Sequence, residues 1–270
     1  MKKFLVPVDF SDASINAAKY AIALTAKIPE AEVTLYNVYS SINLPTLNSK
    51  DEGSRLQISL HELDDIRSNI GEGRENISIV VEEGSFVELL SEYVLGHATD
   101  MVLMGITGSS RIKQVFMGTN TLNVIREIDC PVMIIPAEAK FTGFKKVVFT
   151  SDFTDVARTT PFVSLKKIMN TFKPELSILN VDSEHFVELT PEYQIEKEAM
   201  VDKLGEYNPE FSFLRSYDFL EGISSFVEAR KINAIITVPR KHSFLSQLFK
   251  TSHTKKLAYH SNVPIIAVPA

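Results

Sequence analysis

The chain has 270 residues, a formal net charge of −6 and a pI of about 5.6. Apolar residues make up 44% and charged residues 23%, a globular balance that excludes a disordered tail. The acidic excess argues against a broad footprint for nucleic acid. A single cysteine, Cys130, excludes an intramolecular disulfide and a cysteine-rich zinc site, and fits a reducing cytoplasm. The apolar run after Lys2-Lys3 ends at Asp9, too short for a signal-peptide core or a bilayer span. A cytoplasmic protein without membrane contact is expected.

In chain order, Phe4–Val8 reads as a short buried strand, followed by helical spacing at Ala17, Ala18, Ala21, Ile22 and Leu24, with Ser11 or Asp12 as N-cap. Val33–Val38 is a second strand, residues 51–70 a helix and Ile77–Val81 a third strand. Phe86, Leu89, Leu90, Tyr93 and Val94 recur at spacings of three and four, the core face of a helix. Met101–Met104 is a fourth strand, Thr121–Ile128 a helix and Pro131–Ile135 a fifth strand. Strands alternating with helices predict right-handed βαβ units and a parallel sheet covered on both faces.

The pattern then repeats. Phe4–Ser11 matches Val147–Thr154, with Asp9 and Asp152 143 positions apart, and the same offset pairs Asn37-Val38 with Asn180-Val181. From Asp100, paired with Asn233, an offset of 133 holds without a gap to Pro136 and Pro269. The second copy has thus lost ten residues between its second strand and third helix, a tolerable change in a surface connection. Two α/β domains are expected, 1–140 and 144–270.

The fourth strand leads into Gly105, Gly108 and, after nine intervening residues, Gly118-Thr119-Asn120 before a helix. Glycines at the carboxyl end of a parallel strand let backbone N–H groups approach an anion, and the next helix adds free N–H groups and a positive dipole end. Thr119 can add a hydroxyl or a cap. This is neither a P-loop nor a dinucleotide fingerprint. Together with Val-Pro-Val-Asp-Phe-Ser, Asp100-Met-Val-Leu-Met-Gly and Cys130-Pro-Val-Met-Ile-Ile-Pro, the pattern Gly-x2-Gly-x9-Gly-Thr resembles the universal stress protein family. The resemblance runs along nearly the whole chain, twice. It implies tandem Rossmann-like domains, each a five-stranded parallel sheet of order 3-2-1-4-5. It also implies ATP at the strand ends, any Mg²⁺ being held through the phosphates. By position the nucleotide pocket would be Pro7, Asp9, Val38, Met104, Gly105, Thr107, Gly108, Gly118, Thr119 and Asn120. Thr107 stands where relatives often carry a basic residue.

In the second copy Val238, Lys241 and Thr251 replace the three glycines, while Asp152 and Ser252 stand opposite Asp9 and Thr119. That copy is expected to be structural or regulatory, a degenerate site. Its replacement loop is basic (Arg240, Lys241, Lys250, Lys255, Lys256) and carries Phe244, Leu245, Leu248 and Phe249. These apolar residues either pack over the closed cleft or meet an apolar ligand or partner. His242, His253 and His260 lack accompanying zinc spacing. Each motif also has a plain structural reading: turn geometry for the glycines, a turn residue for Asp9, packing for Cys130. No catalytic triad, carboxylate pair or Walker lysine emerges. The expectation is therefore an adenine-nucleotide-binding stress protein, at most a slow hydrolase or self-phosphorylating protein. Its two domains would form an internal pseudo-dimer, with or without further homodimerisation. A stress-response scaffold without nucleotide, or an apolar-ligand module, is the alternative.

Overall fold

The computed structural model describes residues 1–39, 50–71, 75–106, 108–109, 114–115, 119–182, 191–216, 218–239 and 263–270. The chain divides into two compact units, Met1–Thr107 with Gly118–Phe141, and Thr142–Ala270 with Gly108–Met117. In chain order the elements are β1 (Lys3–Pro7), α1 (Asp12–Thr25), β2 (Glu32–Tyr39), α2 (Lys50–Ile70), β3 (Ile77–Glu83), α3 (Phe86–His97) and β4 (Met101–Ile106). A short antiparallel pair follows, β5 (Gly108–Ser109) and β6 (Gln114–Val115), and then α4 (Thr119–Glu127) and β7 (Val132–Pro136).

The first unit's strands run parallel in the order β3-β2-β1-β4-β7. Phe4, Leu5 and Val6 are all at most 1% exposed, the continuous burial of an interior parallel strand covered on both faces. α1 packs with α2 and α3 with α4, the two helical layers that right-handed crossovers produce. Ser11, not Asp12, caps α1: it is extended at φ −71°, and its Oγ accepts the Ser14 N–H at 3.3 Å. Ala17, Ala18 and Ala21 are 0% exposed, so small side chains let α1 lie close to the sheet. The starts of β1 and β4 are tied by Asp100, whose Oδ2 accepts the N–H groups of Lys2 at 2.6 Å and Lys3 at 3.1 Å.

The second unit contains β8 (Lys146–Thr150), α5 (Val156–Thr159), α6 (Phe162–Phe172), β9 (Glu175–Asp182), α7 (Pro191–Leu204) and a 3-10 turn at Gly205–Tyr207. β10 (Glu210–Arg215), α8 (Phe219–Arg230), β11 (Ala234–Thr237) and β12 (Ile265–Ala267) follow. Its strands are parallel in the order β10-β9-β8-β11-β12, so each unit has the expected 3-2-1-4-5 sheet. Individual hydrogen bonds recur with the sequence offsets. Asn233 Oδ1 accepts the N–H groups of Lys145 at 3.0 Å and Lys146 at 2.9 Å, as Asp100 does in the first unit. α3 and α8 both end on a left-handed residue, Ala98 and Lys231, with the closing bonds Thr99 N–H to Val94 O and Ile232 N–H to Val227 O. α7 has 14 residues against the 21 of α2, which locates much of the shortening in the second copy.

Three local expectations change. β4 continues through Gly105 to Ile106, so Gly105 belongs to the strand and not to the loop after it. A Cβ on Gly105 would lie 2.1 Å from Ala13 O and 2.8 Å from Ser14 N; the first turn of α1 occupies the place of its side chain. In the stripe on α3 only Leu90 and Val94 are buried, and Phe86, Leu89 and Tyr93 are half-buried. The second unit also breaks its first helix. Thr160 is extended at φ −102°, ψ 121°, between α5 and α6, because the following Pro161 disfavours helical backbone at the residue before it. Val238, opposite Gly105, is buried. α1 packs on β1, β4 and β7, whereas α5 and α6 pack chiefly on α7.

Replacing Gly105 by Ala should therefore destabilise the first unit by about 3 kcal/mol or more, the upper end for overpacking against backbone that cannot yield. Gly96→Ala, whose Cβ would enter open space, should stabilise α3 by about 0.5–1 kcal/mol. Thermal melts of the two variants test the pair.

Candidate functional site

The carboxyl ends of β1, β2 and β4 come together where the strand order reverses, between β1 and β4. Open α/β sheets bind ligands at such switch points. Val8 N–H donates to Tyr36 O at 2.8 Å, which continues the β1–β2 ladder past Pro7. Asn37 Nδ2 then donates to Val8 O at 2.7 Å. Beyond it the chain turns: Phe10 is left-handed at φ 65°, and Asp9 Oδ1 accepts from Ser11 N–H at 3.1 Å and Ser11 Oγ–H at 2.5 Å. Asp9 N–H donates to Ser14 Oγ at 3.3 Å, and Ser14 Oγ–H donates to Ser11 O at 3.0 Å. This is an Asx-type turn feeding straight into a capped helix. Partial burial at the strand end pushes the Asp9 carboxyl up. Hydrogen bonds from the Ser11 hydroxyl and from the Ser11 backbone N–H outweigh it and hold the carboxyl below its ordinary value.

Of the residues expected at the site, Pro7 is buried at the end of β1, Asp9 is exposed, and Val38 is half-buried near the end of β2. Met104 is buried and Gly105 half-buried within β4. Leu5 is level with Val102, so Pro7 and Met104 are near neighbours across the β1–β4 ladder. Gly108 opens the β5–β6 pair, opposite Val115. Thr119 and Asn120 are exposed first residues of α4. Thr119 is thus helical and not the cap, and its turn offers amides without intrahelical partners. Thr107 and Gly118 lie outside the described residues, as do Arg240, Lys241, His242, Phe244, Leu245, Leu248, Phe249, Lys250, Thr251, Ser252, His253, Lys255, Lys256 and His260.

The sequence reading missed Asn37 as a site residue, although its recurrence as Asn180 was visible. Asn37 is 5% exposed, and among the described residues its Oδ1 has no hydrogen-bond partner. A buried acceptor left unpaired costs about 1–3 kcal/mol.

The second unit keeps the turn and changes what surrounds it. Ser151 N–H bonds Leu179 O, Asn180 Nδ2 donates to Ser151 O at 3.0 Å, and Thr154 N–H donates to Asp152 Oδ1 at 3.2 Å. Phe153 is left-handed at φ 51°. Its ring is buried against Tyr193, Phe211 and Phe213, with centroids 6.1, 6.3 and 5.2 Å away. Because Asp152 makes the same turn beside that aromatic group, part of the work of Asp9 is structural.

A cavity of about 130 Å³ lined by Lys3, Thr34, Ser78, Tyr93, His97 and Thr99 lies at the opposite, amino ends of the first unit's strands. It is well below the roughly 300 Å³ at which ligand pockets begin. Among the described residues no three of His, Cys, Asp and Glu gather as a metal site, and no helix is long and apolar enough to cross a membrane.

The strand order, the two helical layers and the switch-point turn define a doubly wound, Rossmann-like α/β protein. The model of the universal stress protein family matches residues 1–136. The chain belongs to the universal stress protein family. It is 31% identical over 146 residues to Universal stress protein MJ0531 of Methanocaldococcus jannaschii, a match covering 52% of this chain and 84% of that one. A universal stress protein structure from Archaeoglobus fulgidus superposes with a TM-score of 0.71 at 16% identity, covering 98% of this chain and 97% of that one. A universal stress protein solved in complex with cAMP also matches, at 20% identity and a TM-score of 0.37, over 50% of this chain and 96% of that one.

The depressed carboxyl at Asp9 fixes a pH dependence. A group whose pKa is lower in the folded state stabilises fully above its unfolded pKa and loses that contribution as pH falls through the folded value. Asn at this position accepts the same bonds without titrating. Wild type should therefore be more stable than Asp9→Asn at neutral pH, and the gap should shrink as pH falls below the ordinary carboxyl value of 3.8. Urea denaturation of both proteins across that range measures it.

Proposed function

We propose that the chain is an ATP-binding stress-response protein of the cytoplasm, with the nucleotide held by the first unit. The observation that carries the reading is the contrast between the two switch points. In the first unit the strand ends carry an exposed Asp9, and among the described residues the buried Asn37 Oδ1 has no hydrogen-bond partner. In the second, Phe153 in the equivalent turn is buried among Tyr193, Phe211 and Phe213. The spacing Gly105-x2-Gly108-x9-Gly118-Thr119 supports the same reading, since main-chain amides and a helix start suit phosphate oxygens. Any Mg²⁺ would be held through those phosphates, because hard ions keep their waters where few carboxylates are offered.

In this reading, residues 1–140 and 144–270 are two universal stress protein domains, and the second is structural or regulatory. The same reading makes the protein a binding protein, at most a slow hydrolase or a self-phosphorylating protein.

Freshly purified full-length protein should release ATP on heat denaturation, and the emptied protein should take it up again with a dissociation constant below about 1 mM, or about −4 kcal/mol. Gly118→Val should abolish that uptake while leaving the thermal melt intact. Ser252→Ala, in the other half, should leave uptake unchanged. Absence of binding at millimolar ATP would favour the scaffold reading.

A further inference from the structure

We propose that the cavity of about 130 Å³ at the amino ends of the first unit's strands is a site for a small oxyanion, such as sulfate, phosphate or a short carboxylate. It is separate from the nucleotide site, and the inference does not rest on the nucleotide reading. Equivalent positions in the two units carry it. Lys3 is level with Glu32, and Leu5 with Thr34 and Ser78, so these residues share one face of the sheet. Tyr93 and His97 of α3, and Thr99 after it, line the cavity with them. At the offsets of 143 and 133, Lys146, Glu175 and Ser177 correspond to Lys3, Glu32 and Thr34, and Phe226 and Arg230 to Tyr93 and His97. Ser177 is level with Glu210 as Thr34 is with Ser78, so Glu210 corresponds to Ser78.

In the second unit these positions hold an ion pair. Arg230 lies over the Phe226 ring, 5.7 Å from its centroid. Its guanidinium meets the Glu210 carboxylate through two contacts, 2.7 and 3.0 Å long, the paired fork of a strong bond. In the first unit only the cationic half has a counterpart: the His97 ring stacks on Tyr93, centroids 3.9 Å apart. Ser78 brings a hydroxyl where Glu210 brings a carboxylate, and both His97 and Ser78 line the cavity. The donors there suit an incoming anion. Lys3 Nζ donates to His97 O at 3.1 Å, and an ammonium has two further N–H groups. Thr34 Oγ1 and Ser78 Oγ are 3.0 Å apart; one hydroxyl hydrogen joins them and the other points elsewhere. His97 Nδ1 is 3.0 Å from Tyr93 O, which only accepts, so Nδ1 carries a proton and a second proton on Nε2 makes the imidazolium. An anion favours that form, so binding strengthens with acidity. The other charged or titratable groups lining the cavity are Lys3, Glu32 and Tyr93. Glu32 is negative, but its counterpart Glu175 stands on the strand beside Glu210 with Lys146 Nζ 3.6 Å away. A water takes roughly 30 Å³ of liquid, so the cavity suits an ion of a few heavy atoms and not a nucleotide.

The test is an NMR titration of the full chain with sodium sulfate against sodium chloride at equal ionic strength, read at the backbone amides. At about pH 6, the acid side of the range in which imidazole ordinarily titrates, Thr34, Ser78 and His97 should shift together along one saturating curve. The dissociation constant should be about 10 mM or tighter. Sulfate keeps its charge to about pH 8, so its binding there should be several-fold weaker as the imidazolium is lost. Parallel titrations with phosphate and acetate identify which oxyanion binds most tightly. Ser78→Glu supplies the carboxylate from the chain itself, and Lys3→Met removes the ammonium. Each should weaken binding about tenfold or more, with thermal melts confirming that the variants fold; the wild-type curve and its pH dependence stand independently of both. Shifts that fail to saturate, that saturate only at Thr119 and Asn120, that ignore pH, or that persist in the folded variants overturn the proposal and leave the nucleotide reading untouched.

Discussion

The first turn of α1 lies on β4 at the residue where that strand carries no side chain. With a Cβ at Gly105 the Ala13 carbonyl would be only 2.1 Å away, so the helix start, the β1 turn and the end of β4 occupy fixed places relative to one another. Ser14, in the turn that Gly105 admits, receives the Asp9 N–H. Asp9 in turn holds Ser11, the cap of α1. The switch point is thus built by backbone contact first and side-chain hydrogen bonds second. Anything it binds meets a surface whose polar groups are already oriented, which lowers the ordering cost of binding.

The two units show how one framework tolerates different ends. The hydrogen bonds that join strand starts recur at Asp100 and Asn233. Those that bind the second strand to the end of the first recur at Asn37 and Asn180. Around this shared frame the second unit substitutes Val238 for glycine and interrupts its first helix before Pro161. Val238 thus stands opposite the residue that admits the first turn of α1, and the equivalent helix of the second unit ends after its first turn, α5, at Thr160. Aromatic rings then fill the strand ends, with Lys197 Nζ 5.2 Å from the Phe211 ring centroid, a cation–π contact.

Much of the fold could be read from the sequence because its signals are local and periodic. Apolar runs marked the strands, and the offsets of 143 and 133 between copies located equivalent residues whose hydrogen bonds match one by one. The site was harder to read, for physical reasons. A glycine in sequence does not say whether its missing Cβ makes room for a ligand or for another part of the chain; at Gly105 the room is taken by α1. Nor does an asparagine in a strand say that one end of its amide is committed and the other free, a distinction that needs Val8 O in place. The turn at Asp9 was visible as a repeated Asp-Phe-Ser/Thr, but its left-handed phenylalanine was not, since bulky residues seldom adopt that conformation.

The central claim is that nucleotide sits at the switch point of the first unit. A crystal structure of the full chain grown with a non-hydrolysable ATP analogue tests it most directly. The account predicts density for the base and triphosphate at the carboxyl ends of β1, β2 and β4. Density confined to the ends of β8, β9 and β11, or none at saturating analogue, would contradict it.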